Sequence, residues 1–328
     1  MSKYGETGMK ILVTAIGSMA ADIVIKALHR GGHLVVGTDI YPREWIADAY
    51  NVDWFVQAPP ARDEDKYRDF IMNICEDKGI EAIIPLTDPE VEVISSVKHG
   101  LLSEGVLACV MEPESVSLCR DKYRLPRFLA SLGLDNTIAT DRFDPHALPS
   151  WPFPWQAKPR FGRSSQGLVL IGNAEQAAYL KDLSNLCEYV VQPYIGGRIC
   201  TVDVIRDGKD NVVCIARREL LRNPSGAGLT VETIENNELT STCCWIARTL
   251  DVIGAVNLEF IESPSGSFSF LELNPRLSGG VEFSHLAGYD VVSNHLRCFQ
   301  GLGIEAYSGL NKMIIARKYE EYITETLL

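Results

Sequence analysis

The residues best equipped for chemistry lie in one stretch, Asn257-Leu258-Glu259-Phe260-Ile261-Glu262-Ser263-Pro264-Ser265-Gly266-Ser267-Phe268-Ser269-Phe270-Leu271-Glu272-Leu273-Asn274-Pro275-Arg276. Read as two strands joined by a two-residue Ser265-Gly266 turn, it sets Glu259 opposite Glu272 and Asn257 opposite Asn274. Directly opposed Cβ atoms of an antiparallel pair lie about 4.5–5.5 Å apart, where like charges destabilise the sheet. A positive ion is expected between them. Period-two alternation puts Asn257, Glu259, Glu272 and Asn274 on one face and Leu258, Phe260, Leu271 and Leu273 on the other. One face is then core and the other a set of hard oxygen ligands. Few protein oxygens suit Mg²⁺, or Mn²⁺, which keeps waters and substrate phosphates in the rest of its octahedron. A pair of solvated acids on an exposed face is the alternative; the adjacent asparagine and arginine favour the metal.

The cations are clustered too. Lys158 ends a strand and is followed by Pro159-Arg160-Phe161-Gly162-Arg163-Ser164-Ser165-Gln166-Gly167. Two glycines, two hydroxyls and three cations in one loop can wrap phosphates through backbone N–H groups and point charges. Arg217-Arg218 ends another strand, ahead of Asn223-Pro224-Ser225-Gly226-Ala227-Gly228. A solvated edge strand would use the same cations.

These groups must be held by sheets. Residues 1–8 read as a loose arm, and Met9 opens the first apolar run. From there strands (11–15, 34–39, 54–57, 82–85, 106–110) alternate with helices (20–29, 63–78), the pattern of a parallel sheet with right-handed crossovers. This Rossmann-like α/β unit spans 9–111. A helix is expected over 112–132, then a linker marked by Asp144-Pro145, Pro149, Pro152 and Pro154. The second half has closely spaced strands with Asp207-Gly208 and Ser265-Gly266 as hairpin turns, hence an antiparallel α+β arrangement.

The turn after the first strand, Ala15-Ile16-Gly17-Ser18-Met19-Ala20-Ala21, has one glycine where a dinucleotide fingerprint needs three. Asp39 stands where a ribose carboxylate would, so a nicotinamide dehydrogenase is a minor reading. Asp88 and Glu90 read best as acids at a helix N-terminus, stabilised by the helix dipole. His285 reads as structural.

Composition excludes several classes. With 46% hydrophobic and 23% charged residues the chain of 328 is neither disordered nor fibrous. A net charge of −12 disfavours nucleic acid as the partner. The apolar runs fall short of the ~20 residues of a membrane helix. Nine cysteines without paired spacing read as reduced thiols, so a cytoplasmic location is expected.

At Lys122, Lys158, the loop through Gly167 and the Glu259, Glu272, Asn274, Arg276 group, the chain resembles the ATP-grasp superfamily. It is similar above all to short proteins like the carbamoyl-phosphate synthase large subunit and to carboxylate–amine and amino-acid ligases. The resemblance runs from about Met9 to Tyr319. It rests on Lys158-Pro-Arg-x-Gly-Arg-x-Ser-x-Gly167 and Glu272-x-Asn-Pro-Arg-x-Ser-Gly-Gly280. It implies an ATP-grasp fold behind the Rossmann-like pre-ATP-grasp domain, with a central lobe over 112–195 and a C-terminal metal-binding lobe over 196–328.

The resemblance also implies roles. Lys122 and Lys158 would contact nucleotide phosphates, and Gly162, Ser164, Ser165 and Gly167 would belong to the loop over them. Gln192, Pro193, Tyr194 and Ile195 would hold adenine. Glu259, Glu272 and Asn274 would hold two Mg²⁺, Arg276 would steady the transferred phosphoryl group, and Arg218 or Arg217 would lie over the triphosphate. The family's ribose carboxylate is Ile199 here, although Thr201 and Asp203 match its pattern; Gln192 or Arg198 are candidate replacements. The implied reaction activates a small-molecule carboxylate as an acyl phosphate for attack by an amine, releasing ADP. A carboxylate or carbamate kinase without an amine acceptor and a non-catalytic ATP sensor are the alternatives. Neither membrane nor nucleic acid is an expected partner, and a homodimer is compatible with the resemblance.

Overall fold

The first run of alternating strands and helices buries its apolar strands between two helical layers, as a parallel sheet requires. The computed structural model of the chain describes residues 8–144, 146–162, 166–184 and 188–327. β1 (Lys10–Thr14), β2 (Leu34–Asp39), β3 (Trp54–Gln57), β4 (Ala82–Ile84) and β5 (Leu107–Ala108) form one parallel sheet in the order β3-β2-β1-β4-β5. The turn after β1 is closed by Asp39, whose Oδ2 accepts from Gly17 N at 2.8 Å and whose Oδ1 accepts from Tyr41 N at 3.1 Å. The carboxylate considered for a ribose is therefore committed to holding this turn.

A small antiparallel sheet follows, β6 (Asp141–Arg142), β7 (Trp155–Pro159), β8 (Val169–Ile171) and β9 (Tyr189–Pro193), in the order β6-β9-β7-β8. It has its own core around Trp155, Ile171, Leu180 and Val191. The third sheet holds β10 (Arg198–Arg206), β11 (Val212–Arg222), β12 (Gly228–Ile234), β13 (Gly254–Glu262), β14 (Phe268–Asn274) and β15 (Ile314–Ala316), in the order β14-β13-β10-β11-β12-β15. The sequence reading anticipated neither β12 nor β15.

The single helix expected over 112–132 is two, Pro113–Arg120 and Arg124–Ser131. Pro126 is tolerated only in the first turn of a helix, so a new one begins just before it. Asp121 fills the break, its Oδ1 accepting from Tyr123 N and Arg124 N, both at 3.0 Å. Both helices pack against β14, and Phe270 N donates to Asn136 O at 2.8 Å. Residues 113–136 thus lie with the first and third sheets, whose apolar side chains form one continuous core, and the small lobe's sheet starts only at Asp141. That differs from the central lobe expected to begin at residue 112. Among the described residues no helix is long and apolar enough to cross a membrane.

Candidate functional site

The acidic hairpin has the expected pairs by an unexpected route. Asn257 faces Asn274 and Glu259 faces Glu272, but beyond them Phe260 pairs with Phe270 and Glu262 with Phe268. The connection is the three-residue Pro264-Ser265-Gly266, closed by Ser263 N donating to Ser267 O at 2.9 Å. Gly266 has φ +86°, the left-handed residue such a loop needs. The extra loop residue is compensated by a bulge at Leu271, which restores the pairing of the acids. The bulge also turns Leu271 out of the core face assigned to it, and it lines the cleft beside Glu272.

Two cavities meet at this hairpin. One, of about 260 Å³, lies between the small sheet and the hairpin; Lys122, Lys158, Gln192, Tyr194, Ile199, Ile261 and Leu271 are among its walls. The other, of about 350 Å³, is polar and is lined by Thr87, Asp88, Arg217, Glu219, Asn257, Asn274 and Arg276, with the turn at Ser18-Met19-Ala20. Arg222, Glu259 and Glu272 line both. The carboxylates therefore stand in the wall between a chamber of mixed lining, apolar at Ile199, Ile261 and Leu271, and one crowded with charged groups.

The charge balance of that wall is unusual. Burial, then the charge of Glu272, pushes the Glu259 carboxyl up to about 7. Glu272 shares the burial, but Lys122 and Lys158 outweigh it and hold its carboxyl below the usual range. The nearest arginine contact is loose, Arg222 Nη2 to Glu259 Oε2 at 3.4 Å, and Asn274 Nδ2 is 3.5 Å from Glu272 Oε1. Two facing buried acids, one of them pushed up for want of a close cation and both beside the asparagine pair Asn257 and Asn274, fit a hard divalent cation. Among the described residues no group of three or more His, Cys, Asp or Glu could form a complete protein cage. Mg²⁺, which takes one or two carboxylates plus phosphates and waters, does not need one.

Lys122 sits in the helix break, its Nζ donating to Gly162 O at 2.7 Å, so it ties the phosphate-type loop to the hairpin side of the cleft. Gly167 closes that loop: with φ +70° and Pro159 Cγ only 2.7 Å from where a Cβ would be, no other residue fits without displacement. Ser164 and Ser165 lie outside the described residues.

Lys158 is buried, at 5% exposure, and not on an accessible strand end as its position suggests. Burial pushes its ammonium down to about 8, against the pull of Glu272. A buried cation of this kind is available for an anion and costs stability until one arrives. Its folded pKa is below the unfolded value, so the penalty is full below about pH 8 and fades between there and the unfolded pKa of 10.5. If the amine contacts nucleotide phosphates, raising the pH from 7 to 9 should weaken Mg·ATP binding by up to about tenfold. Calorimetry on the wild type and Lys158→Met checks this: the pH dependence should vanish in the variant, and its persistence would assign the titration to another group.

The adenine-type strand end is built from Gln192 to Ile195. Gln192 and Pro193 pair with β7, Gln192 Nε2 donates to Thr140 Oγ1 at 2.8 Å, and Tyr194 N donates to Pro154 O at 2.9 Å. Ile199 lies on the same cavity wall as Ile138 and Ile261, and the cavity's carboxylates are Glu259 and Glu272. Arg198 turns away, beside Arg218 and Glu262. Of the two candidate replacements for a ribose carboxylate, one is engaged with Thr140 and the other is outside the cavity.

The arginines separate by strand face. Thr201 pairs with both Arg217 and Glu259, so Arg217 faces the polar cavity, where its Nη1 donates to Asp203 Oδ2 at 2.7 Å and its Nη2 to Ser278 Oγ at 3.1 Å. Arg218 is on the opposite face, with Nε donating to Glu262 Oε2 and Nη1 to Glu232 Oε2, both at 2.6 Å. The expectation of Arg218 over a triphosphate is corrected: strand alternation removes it from the cleft. Arg222, which the sequence reading passed over, lines both cavities instead. A bulge at Leu220 shifts the strand's parity and brings Arg222 to the face of Arg217 and Glu219.

Asp88 and Glu90 are more than helix-start acids. Asp88 is clasped by Arg276 from the hairpin, and Glu90 accepts from Thr14 Oγ1 at 2.8 Å and Thr87 Oγ1 at 2.7 Å. His285 contacts Arg30 at 3.3 Å and lines neither cavity.

Comparison with known proteins follows the same division. Residues 11–109 match the PylC-like N-terminal domain, and residues 185–321 match the family described as ATP-grasp in the biosynthetic pathway with Ter operon. The carbamoyl phosphate synthase large chain of Clostridium perfringens is 27% identical over 164 residues, 45% of this chain and 15% of that one. That of Xanthomonas axonopodis is 24% identical over 244 residues, 67% of this chain and 22% of that one. The chain thus spans under a quarter of these relatives' length. Among solved structures, the biotin carboxylase of Campylobacter jejuni superposes with a TM-score of 0.78 at 18% identity, over 94% of this chain and 75% of that one. An ADP complex of N5-carboxyaminoimidazole ribonucleotide synthetase gives 0.77 at 14%, over 96% and 83%. The L-amino acid ligase of Bacillus licheniformis gives 0.73 at 15%, over 91% and 76%. With both matches in their order along the chain and the whole fold superposing, the chain has the ATP-grasp fold behind a PylC-like N-terminal domain.

Proposed function

We propose that the chain is an ADP-forming ligase, with ATP in the chamber walled by Ile199, Ile261 and Leu271 and a small-molecule carboxylate in the charge-rich one beside Arg276. The observation that carries this is the shared wall: Glu259, Glu272 and Arg222 line both chambers, with Lys122 and Lys158 on one side and Arg276 on the other. A carboxylate oxygen attacks the γ-phosphorus, the bond to the β-phosphate's bridging oxygen breaks and ADP leaves. An amine then attacks the acyl carbon, the bond to phosphate breaks, and the amine's proton goes to solvent.

Glu259, Glu272 and Asn274 would hold Mg²⁺, whose chemistry is to neutralise and align the phosphate oxygens. Lys122 and Lys158 add fixed positive charge to the phosphates, and Arg276 and Arg222 meet the charge that develops on the transferred group. Ile199, Ile261 and Leu271 exclude water from the nucleoside side. No nucleophilic side chain is needed, because the work is positioning and charge neutralisation.

Screening ADP release with mixed amino acids and small carboxylates, with and without an amine, tests the reading. Amine-dependent phosphate release supports a ligase, whereas an acyl phosphate trapped by hydroxylamine without amine dependence identifies a carboxylate kinase. ATP binding with no ADP formed across the panel supports the sensor.

The ribose pocket yields a further expectation. With Ile199 unable to form charge-assisted bonds worth about 1.5–3 kcal/mol each, 2′-deoxy-ATP should support turnover within about fivefold of ATP. A preference for ATP of about tenfold or more would mean that another residue reads the 2′-hydroxyl.

A further inference from the structure

Arg276 follows the hairpin's Asn274 by two residues, yet its guanidinium is held by the first domain. Nε donates to Asp88 Oδ1 at 2.8 Å and Nη2 to Asp88 Oδ2 at 3.2 Å, while Nη1 donates to Leu277 O at 3.2 Å. Asp88 is the first residue of the helix Asp88–Ser96, directly after β4, and is almost wholly buried. Arg120 reinforces it, with Nη1 at 3.5 Å from Asp88 Oδ1 and Nε donating to Glu92 Oε1 at 2.6 Å. Both Asp88 and Arg276 line the polar cavity next to Glu259 and Glu272.

A two-point pairing fixes the plane of a guanidinium as well as its position, which a single contact or a lysine would not. A carboxylate buried for adhesion alone would gain little, since desolvation largely offsets the attraction of an ion pair. The return is geometric: Arg276 lines the cavity with its plane fixed, and Nη1 and Nη2 each keep an N–H beyond these contacts.

We propose that Asp88 is a positioning residue for phosphoryl transfer, fixing the Arg276 guanidinium beside the metal-type hairpin so that the first domain completes the reaction centre. This rests on the ligase reading above. Asp88 acts through Arg276 and does not itself meet the transferred group.

The test uses the full chain and Mg·ADP with and without beryllium fluoride, which fills the place of the transferred phosphoryl group. In the wild type, beryllium fluoride should tighten Mg·ADP binding about tenfold or more. Asp88→Asn should lose most of that gain, and Asp88→Glu, which keeps the charge at a different reach, should regain part of it. In an Arg276→Gln background the Asp88→Asn change should add less than about twofold, because the two residues act as a unit. If Asp88→Asn does not fold, Asp88→Glu carries the same comparison and should still lose part of the gain.

The proposal is overturned if the gain survives in the Asp88 variants, or if Asp88→Asn acts equally without Arg276. It is also overturned if Mg·ADP binding falls in parallel with the gain, which would make Asp88 a domain clamp only. A wild type that binds Mg·ADP but gains nothing from beryllium fluoride overturns it as well. A wild type that binds no Mg·ADP overturns the ligase reading instead, and this inference with it.

Discussion

Replacing Glu272 by glutamine is expected to lower Mg²⁺-dependent turnover by about a hundredfold or more, equivalent to ~2.7 kcal/mol of transition-state stabilisation. The substitution preserves volume and removes the charge that Lys122 and Lys158 keep ionised. Glu259 cannot compensate, because it leaves the cation a single carboxylate, and burial, the larger cause of its raised pKa, persists when its partner's charge is gone. The deficit should be largest at limiting Mg²⁺ and shrink as the metal is raised. Steady-state ADP release over a Mg²⁺ series, with the nucleotide-free melting temperature as a control for folding, measures it. Turnover equal to wild type at limiting Mg²⁺ would mean that the hairpin does not hold the metal.

The second large effect is on stability. Arg217 is 2% exposed, and Asp203 Oδ2 accepts from its Nη1 at 2.7 Å and from Ser284 Oγ at 2.6 Å. Asp203 Oδ1 has no partner, so the carboxylate depends on this cation. Arg217→Met should therefore destabilise the fold by about 3–5 kcal/mol, the cost of leaving one member of a buried pair uncompensated. The same principle makes the double variant Arg217→Met, Asp203→Leu recover part of the loss, since an apolar pair replaces these two ions while the buried Glu219, 3.8 Å from Arg217 Nε, still loses its cation. Urea unfolding of the single and double variants checks both. A loss under about 1 kcal/mol in the single variant would mean that water reaches Asp203.

The limits of sequence reading show in these residues. Alternation placed Glu259 and Glu272 together because the error in turn length and the unseen bulge at Leu271 cancelled. A different pair of hairpin residues could not be separated. A two-residue Asp207-Gly208 turn would pair Arg206 with Lys209, whereas Arg206 pairs with Val212, a shift of three positions. An odd shift exchanges the faces of a strand, so whether Arg217 or Arg218 faced the cleft depended on a loop whose length Asp207 sets by accepting from Lys209 N and Asn211 N. Arg222 was hidden for the same reason, since only a bulge brings it inward.

The parallel sheet was readable because its strands and helices alternate over short distances. The role of Asp88 was not, because its partner is 188 residues away and a helix-start acid has a sufficient local explanation. The break at Lys122 had a visible signal in Pro126, and reading it would have moved that lysine from a helix face to a loop. Burial of Lys158 had none, since a strand's end is covered or open according to what packs over it.

The proposed reaction requires nucleotide and metal to meet across the shared wall. A crystal structure of the chain grown with Mn²⁺ and ADP, phased to show anomalous scattering, tests this most directly. The predicted result is manganese density between Glu259, Glu272 and Asn274, with adenine against the Gln192–Ile195 segment and phosphates beside Lys122 and Lys158. Nucleotide bound in another cavity, or manganese absent from the hairpin while ADP occupies the cleft, would contradict it.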